Sequence, residues 1–288
     1  MSGSRVAGAP ISWGVCEVPG WGYQLPASRV LAEMAELGLA ATEFGPDGFL
    51  PEDPAELAEL LASAGLRPVG GFVPAVLHDP GHDPLPALRE TARRFAAAGA
   101  DTLVLAAESG VAGYDRRPVL DGPGWRALLG NLAAAAEIAA GHGLTAALHP
   151  HVGTMVERTG EVERVLADSE IPFCLDTGHL LIGGVDPADL AARAPGRIAH
   201  VHLKDVDAGL AERVRVGRLG YSTAVRQGLY RPLGSGDVPI AAIVRGLERA
   251  GYRGWYVLEQ DTVLDAAPRD EGPVADVRAS LDHLRRLL

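Results

Sequence analysis

The feature that most constrains the fold of this chain is a regular alternation of strand and helix patterns along its length. Short apolar runs rich in Val, Leu and Ala are each followed by a longer segment of helical periodicity. A glycine follows several of these segments, as Gly38, Gly65 and Gly99 do, which is typical of a helix C-terminus. The pattern recurs about eight times, which predicts an α/β fold: a single (β/α)8 TIM barrel over residues 1–288.

The predicted elements follow one another without a linker or a low-complexity segment. The strands are expected at residues 5–13, 40–44, 67–73, 102–107, 145–149, 173–176, 198–204 and 255–259. The helices are expected at residues 27–37, 54–64, 85–98, 125–140, 160–167, 187–193, 239–250 and 274–287. A doubly wound sheet is the competing architecture, but the G-x-G-x-x-G loop that would favour it is missing after the first strand, where the sequence reads Ser12-Trp-Gly-Val-Cys-Glu17.

A polar excursion at about 206–238 interrupts the alternation. Its glycines include Gly217, Gly220, Gly228, Gly234 and Gly236, and a helix is expected only near residues 211–218. Long connections of this kind in a compact domain often carry function. The excursion is therefore interpreted as a lid or a specificity loop.

Composition and charge exclude several classes of protein. The net charge of -11 and pI near 5.3 argue against a nucleic-acid partner, which would require a clustered basic surface. The sequence has no run of about 18 apolar residues, so no membrane span is predicted. The N-terminus lacks the apolar region of a signal peptide. The only two cysteines, Cys16 and Cys174, do not suggest a disulfide framework, so a cytoplasmic location is expected. Cys174 is interpreted as a small core residue.

Polar side chains stand at the ends of most predicted strands. They are Glu43, Glu108, His149 with His151, Asp176 with His179, His200 with His202, and Glu259. Because the strand C-termini of a barrel meet at one rim, this ring predicts a site there. Imidazoles and carboxylates without a thiolate suit Mn²⁺, Mg²⁺, Co²⁺ or Zn²⁺. The preferred metal ligands are His149, Asp176, His202 and Glu259, one from each of strands five to eight.

Some of these residues have a simpler explanation. Asp176 could be a helix N-cap, although His179-Leu-Leu-Ile does not look like a first helical turn. Glu259 could be a surface charge at a strand end. Glu43 and Glu108 could be rim charges or partners of a nearby arginine.

Seven ordered motifs resemble those of a known group of barrels. They are Ala9-Pro-Ile-Ser-Trp-Gly14, Thr42-Glu-Phe-Gly-Pro46, His149-Pro-His-Val-Gly-Thr154, Asp176-Thr-Gly-His179, His200-Val-His-Leu-Lys-Asp205, Gly228-Leu-Tyr-Arg-Pro-Leu-Gly-Ser-Gly-Asp237 and Gly254-Trp-Tyr-Val-Leu-Glu-Gln-Asp261. Together they span nearly the whole chain. The chain resembles the sugar phosphate isomerase/epimerase superfamily of xylose isomerase-like barrels, and within it most closely the inosose dehydratase family.

The resemblance implies a divalent metal, Mn²⁺ or Co²⁺ in the first place and Mg²⁺ or Zn²⁺ as alternatives, on the four ligands named above. It also implies a small polyhydroxylated keto substrate. The superfamily's epimerases usually carry a glutamate where this chain has His149, and that glutamate shares proton transfer with the one on strand eight. A metal-bound imidazole has no free lone pair for this task. The histidine at position 149 therefore argues against epimerisation by two glutamates, and a histidine at this position is also typical of inosose dehydratases.

The implied reaction is dehydration of a keto-inositol to a cyclic 1,2-dione. It requires a base for the proton next to the ketone and an acid for the departing β-hydroxyl. The candidate base is Glu43 or His151, and the candidate acid is His179 or Lys204. The residues expected beside the substrate are Trp13, Glu108, Glu157 and His200, with His200 also compatible with a supporting place beneath His202.

Rival interpretations remain open at this point. The nearest is a metal-dependent isomerase or epimerase of a keto-sugar or keto-inositol, or a related enzyme acting on an oxidised sugar in a glycoside or natural-product pathway. A binding protein that keeps the barrel without its chemistry is more distant. An apurinic-site endonuclease, also found in the superfamily, is poorly matched by the acidic charge. The sequence is compatible with a homo-oligomer but leaves the oligomeric state open.

Overall fold

The computed structural model describes residues 5–288, so residues 1–4 of the predicted domain lie outside the described part of the chain. The strands in the described part are β1 (Val6–Gly8), β2 (Ala41–Glu43), β3 (Arg67–Ala75), β4 (Thr102–Ala107), β5 (Thr145–Leu148), β6 (Phe173–Asp176), β7 (Ile198–Leu203), β8 (Asp205–Val206), β9 (Tyr230–Arg231) and β10 (Tyr256–Leu258).

Eight of these strands close into a parallel barrel in the order β1-β10-β7-β6-β5-β4-β3-β2, which confirms the predicted fold class. The other two, β8 and β9, form a small antiparallel pair. β7 lies between β6 and β10, so its histidines have neighbours that end in Asp176 and lead into Glu259. In the β6–β7 pairing, Asp176 stands directly beside His202.

The helices lie between successive strands, except α11, which follows β10. They are α1 (Ala27–Glu36), α2 (Pro54–Ser63), α3 (Leu85–Ala97), α4 (Gly122–Gly141), α5 (Thr159–Asp168), α6 (Thr177–Gly183), α7 (Pro187–Arg193), α8 (Ala208–Arg215), α9 (Tyr221–Arg226), α10 (Ile240–Arg249) and α11 (Pro273–Arg285). Glycines close α2 and α3 as expected, because Gly65 and Gly99 adopt φ of 69° and 82°, where a side chain would be strained. Across residues 5–288, no helix combines the length and apolarity needed to cross a bilayer.

The apolar core has two layers. The larger layer fills the space between the barrel wall and the surrounding helices. Inside the barrel, small side chains from facing strands fill the interior, among them Ala7, Val104, Ala147 and Val257. Cys174 belongs to this interior layer and is fully buried, as the sequence predicted, and burial raises the pKa of its thiol to about 11. The packed interior leaves room for a site only at the ends of the strands.

Three predicted elements differ from the structure. The first strand ends at Gly8 rather than at residue 13, because Pro10 opens a 3-10 turn (Pro10–Trp13) that Gly14 closes. Trp13 therefore belongs to a turn. The segment after Asp176 is a helix, α6, although it was not expected to be one.

The excursion at 206–238 also differs, since it is mostly regular structure. It holds α8, α9 and the β8–β9 pair in place of one helix at about 211–218. Asp205 fixes its two ends together by accepting from the backbone N–H groups of Val206, Gly234, Gly236 and Val238, at 2.8 to 3.0 Å.

Candidate active site

A cavity of about 440 Å³ opens at the carboxyl ends of the barrel strands. A cavity of this size is within the range of small-molecule sites. The predicted site residues that line it are Glu43, His149, His151, Lys204 and Glu259. Asp176, His179, His200 and His202 are almost fully buried and stand in contact with these wall residues. The strand ends thus bring nine predicted residues into one cluster.

The four predicted metal ligands are neighbours, and three of them, Asp176, His202 and Glu259, place their ligand atoms within 4.8 Å of one another. His149 Nε2 lies 3.2 Å from Asp176 Oδ2, and His202 Nδ1 lies 3.5 Å from the same oxygen. His202 Nδ1 is also 2.8 Å from Glu259 Oε2. Yet neither of these last two atoms makes a hydrogen bond within the described part of the chain, although both are buried. Buried imidazole and carboxylate atoms without a hydrogen-bond partner fit a divalent metal, which would take the place of the proton on His202.

The electrostatic surroundings of His202 favour a positive charge at this point. Burial disfavours protonation of the ring, yet neighbouring negative groups, among them Glu259 and Glu43, raise its pKa well above the usual range. A site that draws a proton in this way would also attract a metal cation.

Asp176 has two tasks, one for each oxygen. Its Oδ1 caps α6 by accepting from the N–H groups of Gly178 and His179, at 2.9 and 2.7 Å. Its Oδ2 faces His149 and His202. Asp176 therefore caps a helix and also faces the site. The prediction that no helix follows Asp176 was wrong. That short helix is buried on nearly every side, so it lacks the polar face by which helices are usually recognised.

Glu43 connects two histidines of β7 from across the barrel. Its Oε1 accepts from His200 Nε2 at 2.8 Å and from His202 Nε2 at 2.9 Å. Burial opposes ionisation of Glu43, but the charge of His202 and the bonds from both rings lower its pKa. The bond to Nε2 turns the other nitrogen of His202, Nδ1, towards Asp176 and Glu259, as carboxylates behind metal-binding histidines commonly do.

His151 is a neutral imidazole on the cavity wall. Its Nδ1 must carry the hydrogen, because its partner at 2.8 Å is the carbonyl oxygen of Val152. Nε2 consequently keeps a free lone pair. Burial, helped by electrostatic repulsion from the neighbouring His149 and Lys204, lowers the pKa of His151 to about 3. The ring of His179 stacks behind that of His151, with 3.7 Å between the ring centroids. Burial also lowers the pKa of His179.

Lys204 is a buried ammonium on the same wall, 3% exposed. It bonds to Asp261 Oδ1, lies 3.2 Å from Glu259 Oε2 and 3.8 Å from Asp176 Oδ2, and contacts His179 Nε2 at 3.3 Å. Burial works against its charge, but Asp261, Glu259 and Asp176 raise its pKa well above the usual range. The side chain therefore stays protonated.

Three predicted substrate contacts lie elsewhere. Trp13 is fully buried, donates its indole N–H to Glu33 at 2.8 Å and does not reach the cavity wall. Glu108 is exposed and also outside the lining. Glu157 accepts from the N–H of Gly153, pairs with Arg117 at 3.1 Å and is outside the lining.

Several residues of the site escaped sequence reasoning. They are Phe72, Tyr114, Tyr221, Tyr230 and Asp261. Asp261 follows Glu259 by two positions, the spacing that keeps a side chain on the same face of an extended segment, so its position could have been noticed. The tyrosines of the excursion carry no strand-end pattern, and only the folded chain shows where they lie.

A closed parallel barrel with a ring of imidazoles and carboxylates at its carboxyl rim defines a (β/α)8-barrel enzyme. The sequence matches the family described as xylose isomerase-like TIM barrel over residues 31–287. The chain belongs to this family.

Two curated relatives agree with this assignment, and a solved structure shares the fold. An inosose dehydratase of Geobacillus kaustophilus (strain HTA426) is 33% identical over 270 residues, which cover 89% of this chain and 87% of the relative. The rhizopine catabolism protein MocC of Rhizobium meliloti is 31% identical over 98% of this chain and 88% of its own length. A crystal structure of IOLI protein with a binding zinc atom superposes with a TM-score of 0.70 at 14% identity, covering 99% of this chain and 98% of that one.

Proposed function

We propose that this enzyme is a metal-dependent lyase that dehydrates a keto-inositol, an inosose, to a cyclic 1,2-dione. The observation that carries the proposal is the pairing of groups on the cavity wall. His151 offers a neutral nitrogen that can accept a proton, and Lys204 offers an ammonium that can donate one. Elimination of water needs one group of each kind. The similarity to an inosose dehydratase over most of the chain supports the choice of substrate.

The proposed cofactor is a divalent cation, Mn²⁺ or Co²⁺, on His149, Asp176, His202 and Glu259; Mg²⁺ and Zn²⁺ are compatible with the same donors. When bound, it would withdraw electron density from the ketone and so acidify the neighbouring C–H group. This assistance matters because a base whose pKa is lowered to about 3 is weak.

The proton transfers are assigned to the chain's own residues. His151 Nε2 takes the proton next to the ketone, and the electrons of that C–H bond form a carbon–carbon double bond. The β-carbon–oxygen bond breaks as Lys204 gives its proton to the departing hydroxyl, which leaves as water. Carboxylates beside Lys204 keep it protonated beforehand, so the donor is ready when substrate arrives. His179 lies behind the wall and Glu43 is bound to two rings, so they are the weaker candidates for these tasks.

The charge of the cavity favours an uncharged substrate. Six carboxylates stand along its lining, namely Glu17, Glu43, Asp47, Glu52, Glu259 and Asp261, against two cations, Lys204 and Arg94. One of those cations is already paired with Asp261. A neutral polyol ketone therefore fits the cavity better than a phosphorylated sugar.

The test is incubation of purified, metal-loaded protein with scyllo-inosose, following the enolised dione by ultraviolet absorbance and the product by mass spectrometry. The expected product is lighter than the substrate by one water. No turnover with either Mn²⁺ or Co²⁺ would contradict the proposed substrate. A product of unchanged mass would instead identify an isomerase or epimerase, the alternative that the isomerase-like family description supports.

A further inference from the structure

Lys204 has a property that sets it apart from every other cation of this protein. It is the only lysine among the 26 lysine and arginine residues of the chain. It is also buried at the cavity, where an arginine would present a larger planar group with fixed directions of hydrogen bonding. The site therefore holds an ammonium where the rest of the chain uses guanidinium.

The stem of Lys204 occupies a narrow slot. Thr177 Oγ1 donates to the carbonyl of Lys204 at 2.7 Å and accepts from its N–H at 2.9 Å. Gly178 lies so close that a methyl group on it would stand 2.7 Å from the Cβ of Lys204 and 3.0 Å from the ring of Tyr230. The backbone and the first part of the side chain are thus fixed by the start of α6. What remains to be fixed is the ammonium itself.

The ammonium has three neighbouring carboxylates with different tasks. Asp176 and Glu259 belong to the proposed metal ligands, so their charge would be shared with the cation. Asp261 is the third, and among residues 5–288 it is not part of any ligand cluster. It alone supplies a counter-charge to Lys204 that a bound metal would not also use.

Asp261 is in turn held from the other side. Its Oδ2 accepts from the hydroxyl of Tyr221 at 2.6 Å, and that hydroxyl also meets the hydroxyl of Tyr230 at 2.8 Å. Tyr221 is fully buried, and its backbone N–H donates to Asp115 at 2.8 Å. The aspartate therefore has one oxygen for Lys204 and one for a rigid phenol supplied by α9.

We infer that Asp261, braced by Tyr221, is the positioning residue of Lys204, holding its ammonium at the cavity wall independently of the metal ligands. The excursion at 206–238 then has a specific part in the site, since both tyrosines of this network come from it. The inference rests on the proposed function for the role of Lys204 as proton donor. It adds that the donor depends on residues that touch no metal.

The kinetic test is a double-mutant cycle on metal-loaded protein with scyllo-inosose. Asp261→Asn is expected to lower kcat about tenfold or more with KM changed less than about threefold, because ground-state binding is kept. In a Lys204→Met background, Asp261→Asn should have no further effect, and metal content should stay at the wild-type level throughout. Independent, additive losses from the two substitutions would overturn the inference, as would an unchanged kcat in Asp261→Asn.

A second measurement does not need turnover. Protein labelled with [15N]lysine has one lysine side chain, so it should give one ammonium resonance, protected from exchange by its buried bonds. Asp261→Asn should abolish this protection and Tyr221→Phe should weaken it. Tyr252→Phe removes another buried hydroxyl, one that is bonded to the carbonyl of Trp255 away from the cavity, and should leave the protection unchanged. A resonance that stays protected in Asp261→Asn would refute the inference, whereas wild-type protein inactive on inosose would refute only the proposed function.

Discussion

Replacing Glu43 by glutamine separates two roles that this residue could have. It lines the cavity, where it could act on the substrate as a base, and it bonds His202, where it would act on the metal. Glutamine has nearly the same shape and keeps one carbonyl oxygen, so the packing of the site should survive. The substitution removes the negative charge, and the amide oxygen is a weaker acceptor than the carboxylate oxygen for the bonds from His200 and His202.

The expected size of the effect follows from the two bonds on Glu43 Oε1. His200 donates at 2.8 Å and His202 at 2.9 Å. A bond to a charged acceptor contributes about 1.5–3 kcal/mol and a neutral one about 0.5–1.5 kcal/mol, so each bond should lose about 1–1.5 kcal/mol. Both losses should lower the free energy of unfolding of the metal-free protein, because both bonds form without a metal. The loss at the His202 bond should also lower metal affinity by about 5- to 13-fold, the factor that corresponds to about 1–1.5 kcal/mol.

The assay is a titration of metal-free wild-type and variant protein with Mn²⁺ and Zn²⁺ in competition with a chelator, at one fixed pH. Glu108→Gln is the matched control, because Glu108 is an exposed glutamate at the end of β4 that stands apart from the cavity. It should bind metal like the wild type. If Glu43→Gln also bound metal with wild-type affinity but lost turnover, the reasoning would be refuted and Glu43 would be the base.

Three further predictions follow from the same geometry. Asp176→Ala and Glu259→Ala should each abolish metal in the purified protein, measured by elemental analysis, and full metal content in both would remove the proposed ligand set. Gly178→Ala should lower the free energy of unfolding by about 1–3 kcal/mol through overlap with Lys204, and reduce kcat as well; a melting temperature and kcat equal to wild type would show that the slot can widen. Glu157→Gln should destabilise the protein by about 1–3 kcal/mol in chemical denaturation but leave kcat within about twofold, so a large loss of kcat would mean that this residue reaches the substrate.

Much of the architecture could be predicted from the sequence because it depends on local patterns. Strand and helix periodicities, with glycine after the helices, predicted a barrel, and the eight barrel strands lie close to where they were expected. The main errors fell on segments whose pattern is hidden by their surroundings. α6 is buried nearly all round, so it shows no polar face, and the first strand is cut short by a turn at Pro10.

The sequence alone also determined which residues share the rim. Side chains alternate along a strand and parallel strands end together, so polar residues at the ends of β2, β6 and β7 had to meet. What only the tertiary structure decided is how they are oriented and which distant groups hold them. Glu43 reaches two rings 157 and 159 positions away, and Tyr221 braces Asp261 from 40 positions away. No local pattern encodes such pairs, because they depend on side-chain rotamers fixed by packing between elements far apart in the chain.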